Sequence, residues 1–101
     1  MSGIMELVVH FSGPLWEYQG EAPWVFVTLP VDAADRIRER FPAPGGFGTI
    51  KVEVELGESR WQTSLFPDKA SGSFLLPIKR AIRDREGLAI GEAVEVSVGL
   101  K

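Results

Sequence analysis

Residues 74–98 read FLLPIKRAIRDREGLAIGEAVEVSV. The run from Ser73 to Leu76 is rich in β-formers, and Pro77 ends it because proline cannot donate a ladder hydrogen bond. After that proline, which fits the first turn of a helix, Ile78, Ala81 and Ile82 recur at helical spacing. Gly87 followed by Leu88 reads as a left-handed stop with Leu88 folding back on the apolar side. Val94 to Val98 then forms a last strand, with Glu95 and Ser97 outward. A fainter copy of the same order lies between Trp24 and Leu56: Leu29-Pro30 matches Leu76-Pro77, Ile37-Arg38 matches Ile82-Arg83, and Val52-Glu53-Val54 matches Val94-Glu95-Val96. Each half alone leaves an apolar sheet face bare. Packing the halves about a pseudo-two-fold axis buries both faces and satisfies strand edges. The expected architecture is therefore mainly β: a small six- or seven-stranded split β-barrel with two short helices and an internal pseudo-two-fold repeat.

The remaining segments fit that frame. Leu7, Val9 and Phe11 alternate with polar or solvent-side positions, and Ile50, Val52, Val54 and Leu56 alternate with Lys51, Glu53 and Glu55, so both runs read as strands with one wet face. Gly57-Glu58 joins the second of these to Arg60–Phe66 as a hairpin. Trp24 to Leu29 is a further short strand, and Ala34, Ile37 and Phe41 mark the first helix. Pro42 to Gly48 and Pro67 to Gly72 read as surface loops. The 101 residues suit one domain spanning 1–101, with a single modest core. No apolar run approaches the roughly 20 residues that span a bilayer. The absence of cysteine and of a leader-like N-terminus makes a cytoplasmic location the expectation.

Trp24–Pro30 (WVFVTLP), Trp61–Pro67 (WQTSLFP) and Leu76–Arg83 (LPIKRAIR), followed by Gly87-Leu88 and Gly91, resemble the bacterial family called domain of unknown function nineteen hundred and five. Glu92 stands where such proteins more often carry Asp. The resemblance spans nearly the whole chain; it implies the split barrel with two helices and names no activity. The C-terminal half is also distantly similar to the swapped-hairpin unit of AbrB-type regulators, which dimerise and bind DNA. In those proteins two chains complete one barrel, whereas here two halves of one chain suffice. A monomer or weak homodimer is expected.

Composition narrows the chemistry. A net charge of −3 and a pI near 5.1 count against a dominant nucleic-acid role, which depends on clustered Lys and Arg neutralising phosphates. His10, the sole histidine, lies near Ser12, yet no nucleophile-elbow sequence accompanies it, and a strand-face histidine is the better reading. With one histidine and no cysteine, only carboxylates remain as metal ligands, and Asp32, Asp35, Asp84 and Glu86 read as solvated helix charges, so no metal and no cofactor are expected. Gly45-Gly46-Phe47-Gly48 lacks the Lys and Ser/Thr of a phosphate loop.

What is left is a cationic and aromatic set. Lys79 and Arg83 are four residues apart on one helix face with Arg80 beside them, so their like charges repel unless an anion or carboxylates lie close. The plainer reading, which the pattern favours, has Arg83 reaching an acidic partner inside the fold while Arg80 pairs with Asp84. Trp24 and Trp61 belong in the core or at a barrel mouth. Trp16, in PLWEYQG, either presents a contact surface or caps an open barrel end with Tyr18. The functional expectation is a non-enzymatic binding or interaction module using Trp16, Trp61, Lys79 and Arg83 to hold an anionic small molecule or peptide. The alternative is an AbrB-like nucleic-acid binder; an enzyme is the weakest reading for want of a paired acid and base.

Overall fold

A computed structural model describes residues 5–41 and 48–101. The loop expected over Pro42–Gly48 lies, apart from Gly48, outside these residues. Six strands and two helices follow one another as β1 (Leu7–Glu17), β2 (Val25–Thr28), α1 (Val31–Arg40), β3 (Ile50–Leu56), β4 (Ser59–Asp68), β5 (Ser73–Pro77), α2 (Arg80–Glu86) and β6 (Ala93–Leu100). The strands close into an antiparallel barrel in the order β1-β2-β5-β4-β3-β6. Alternate residues point inward and form the core, among them Val9, Leu15, Val27, Val54, Leu65, Leu76 and Val98, each at most 1% exposed.

Two long strands split the barrel. β1 pairs with β6 along Leu7–Pro14 and with β2 along Leu15–Glu17. β4 likewise pairs with β3 along Ser59–Leu65 and with β5 along Phe66–Asp68. The registers show where each ladder opens. Phe66 lies opposite Leu75, so two residues further Ser64 would face Pro77; Trp16 lies opposite Phe26, so Pro14 would face Thr28. In each case the next rung would need an N–H that proline lacks, and the strands part there.

This pairing list is unchanged when β1 exchanges with β4, β2 with β5, and β3 with β6. The hydrogen bonds follow suit: Leu29 N–H to Phe74 O (3.0 Å) corresponds to Ile78 N–H to Val25 O (2.9 Å), and Ala34 N–H to Pro30 O (3.0 Å) to Arg83 N–H to Lys79 O (3.1 Å). Under this exchange Leu29-Pro30 falls on Ile78-Lys79, not on the Leu76-Pro77 that the sequence suggested. Pro30 is the N-cap of α1, but Pro77 lies in β5 and α2 starts at Arg80 behind its N-cap Lys79. The Ile78 bond to β2 holds the chain extended past the proline, which delays the helix by three residues relative to expectation.

The C-terminus of α2 is anchored on both sides. Gly87 adopts the left-handed conformation (φ 66°, ψ 39°) and the Leu88 N–H donates to Arg83 O at 2.9 Å. Glu86 reaches the β3–β4 hairpin, where its Oε2 accepts from the Ser59 hydroxyl at 2.6 Å and from the Glu58 N–H at 3.3 Å. In that hairpin Gly57 has φ +60° and no non-glycine residue has positive φ, the pattern of a type II′ turn.

Candidate functional site

The split between β4 and β5 leaves a cleft of about 500 Å³ bounded by the end of the β1–β2 loop, the outer edge of β4, the end of β5 and the first turns of α2. Its walls carry Trp24, Trp61, Lys79, Arg80 and Arg83, with Gln62 and Thr63 from β4. Three of the four residues singled out from the sequence, Trp61, Lys79 and Arg83, meet there. No Asp or Glu lines this cleft, although the chain as a whole is acidic.

Arg83 is half-buried, and its Nε donates to Ile78 O at 3.1 Å. The expected inward carboxylate partner is not what holds it: the carbonyl it caps belongs to the residue that leaves β5 for α2. Arg80 does pair with Asp84, at 3.6 Å, on an exposed helix face. Among the described residues neither Lys79 nor Arg83 has a carboxylate within 4.0 Å. The topologically equivalent positions in α1 are the neutral Pro30, Val31 and Ala34, and the Leu29 carbonyl, which corresponds to that of Ile78, accepts instead from the Ser73 hydroxyl at 2.7 Å. Of the three cations only Arg83 makes a contact that helps to hold the fold, while Lys79 and Arg80 are exposed.

Trp16 stands elsewhere. It lies in β1, not in a loop, and its indole N–H donates to Thr28 Oγ1 at 2.8 Å while its ring tilts against Phe26 at 5.4 Å. Trp24 stacks on the other side of the neighbourhood, 6.0 Å from Phe26 with planes 7° apart. Trp24 is not in the core; it is 51% exposed. The alternation of buried Val25, Val27 and Leu29 already puts Trp24, Phe26 and Thr28 on the outer face of β2, which is the signal that would have identified Trp24 as the cleft's second indole.

Other concavities have a different character. One of about 490 Å³ beside Lys51, Glu53, Gln62 and Lys101 mixes charges of both signs and holds no aromatic ring. Another, on the outer face of β1, β3 and β6, contains His10, Ser12, Glu55 and Glu95, and His10 Nδ1 lies 2.6 Å from Ser97 Oγ across the strands. His10 is exposed there as a strand-face residue. Among the described residues no three His, Cys, Asp or Glu side chains gather to hold a metal ion.

A family model described as Domain of unknown function (DUF1905) matches residues 11–98. The chain belongs to this family. The match begins within β1 and ends within β6, so it takes in every strand, both helices and all the cleft residues of the DUF1905 barrel. No curated protein matches the chain. Among the described residues no helix is long and apolar enough to cross a membrane.

Proposed function

We propose that this DUF1905 protein is a non-enzymatic binding module whose β4–β5 cleft receives an anionic small molecule or peptide. The observation that supports this reading most is the convergence of Trp24, Trp61, Lys79, Arg80 and Arg83 on one concavity without a lining carboxylate. Cations close together repel, and an anion removes that cost; beside them, an open indole face offers apolar contact to the rest of the ligand. A volume of about 500 Å³ is within the range of small-ligand sites. The closed barrel uses strands of one chain only.

The test is a thermal-shift screen of small carboxylates, phosphates and acidic peptides, followed by titration of each hit against a Lys79→Ala/Arg83→Ala variant. Each cation contributes about 0.5–1.5 kcal/mol to holding an anion in a half-open site, so removing the pair weakens binding roughly 5- to 150-fold. Raising the salt weakens the wild type in the same direction. A variant that folds normally and keeps every hit at unchanged affinity removes the reading. Duplex DNA bound through the same two residues at low salt, in preference to the small anions, moves it to the nucleic-acid alternative.

A further inference from the structure

The β4 wall of the cleft is a backbone edge as well as a set of side chains. A two-residue turn makes Leu56 and Ser59 a hydrogen-bonded pair, so Trp61, Thr63 and Leu65 also turn their backbone N–H and C=O groups toward β3. Arg60, Gln62 and Ser64 therefore turn theirs the other way, toward β5. Phe66, of the same parity, does meet β5 at Leu75, but there the ladder stops, because the next partner is Pro77. Among the described residues no other strand takes up this edge along Gln62 and Ser64. The edge of a sheet with free N–H and C=O groups is a template for another strand.

We propose that the occupant of the cleft is an extended acidic peptide segment that pairs as an added strand with the β4 edge at Gln62, which lines the cleft, and at Ser64, which lies just beyond it in the concavity beside Lys51 and Glu53. This rests on the anion-binding reading above and narrows its ligand to one class. Main-chain hydrogen bonds to Gln62 and Ser64 supply affinity and direction, and side chains on alternate sides of the peptide supply selectivity. Charge complementarity selects the sequence: Lys79 and Arg83 have no carboxylate partner among the described residues, and no acid lines the cleft to repel a glutamate or aspartate of the ligand. The open face of Trp24 and the half-buried Trp61 receive apolar side chains of the same segment.

The experiment titrates the full chain with an acetylated, amidated hexapeptide of alternating valine and glutamate, with the same peptide N-methylated at alternate bonds, and with benzoate and inorganic phosphate. Calorimetry and residue-resolved amide exchange are read together. Strand addition slows exchange at the Gln62 or Ser64 amide by about tenfold at saturation, and N-methylation weakens binding by about tenfold or more as main-chain bonds are removed. Gln62→Pro removes an edge donor without touching a β3 bond, so it keeps the native spectrum and loses the peptide, while Gln62→Ala retains it. Peptide binding that survives N-methylation, with no protection on β4, overturns strand addition and leaves the anion cleft standing. Benzoate or phosphate binding in the cleft with no peptide binding does the same. If neither peptide nor small anion binds, this proposal and the proposed function fall together.

Discussion

Replacing Glu86 by alanine tests what holds α2, and with it one wall of the cleft, against the barrel. The Glu86 carboxylate accepts from the Ser59 hydroxyl at 2.6 Å, and Ser59 is only 2% exposed. A hydrogen bond to a charged acceptor contributes about 1.5–3 kcal/mol, and truncation leaves a buried hydroxyl to find a new partner. The second bond, from the exposed Glu58 N–H at 3.3 Å, is long and adds about 0.5 kcal/mol at most. Against these, a carboxylate in the last turn opposes the helix dipole, so its removal returns about 0.3–1 kcal/mol. The net expectation for Glu86→Ala is a loss of about 2 kcal/mol, which lowers Tm by about 8–16 °C in a domain of this size. Urea unfolding of Glu86→Ala, Ser59→Ala and the double variant closes a cycle with a coupling energy of about 1 kcal/mol. A coupling below about 0.3 kcal/mol, or a Glu86→Ala variant as stable as wild type, would refute the view that this interaction anchors α2.

Four further outcomes follow from single residues. Leu65→Ala, at a side chain with no exposure, costs about 2–5 kcal/mol in chemical denaturation because it opens a cavity in the barrel interior. Gly87→Ala costs about 1–2 kcal/mol by the same measurement; a Cβ there meets nothing within 4 Å, so the loss isolates the left-handed backbone at φ 66°. Trp24→Ala changes stability by less than about 1 kcal/mol because the ring is half exposed, yet weakens every ligand of the cleft, whereas Trp16→Phe costs about 1 kcal/mol by removing the donor to Thr28 and leaves ligand affinity unchanged.

Much of the barrel was legible because its strands obey a strict two-residue period. Ile50–Leu56 buries every second residue as read from the alternation, and Gly57-Glu58 makes the turn that two residues between β-runs imply. The Gly87-Leu88 stop was legible too, since a left-handed residue at that place is a local matter. Less legible was the course of β1 through Pro14 to Glu17, read as a turn-flanked aromatic segment. Proline ends a strand only where its missing N–H is needed, and Pro14 directs that position into the split. The same reasoning explains Pro77: it belongs to β5 because its donor would face the opening, while Ile78 still bonds to β2.

For the candidate site, the sequence by itself determined the inventory: two cations a helical turn apart, a third beside them, and three indoles in a chain with a net charge of −3. It also determined the strand periods and the proline and glycine punctuation, because these are set by backbone chemistry within a few residues. Only the tertiary structure decided which of these groups meet. Trp24 and Arg83 are far apart along the chain and share a wall because β4 parts from β5; Trp16 is kept out of the cleft by Phe26 and Thr28. That choice depends on the register in which distant strands pair, and each long-range ladder is selected by the packing of the whole barrel.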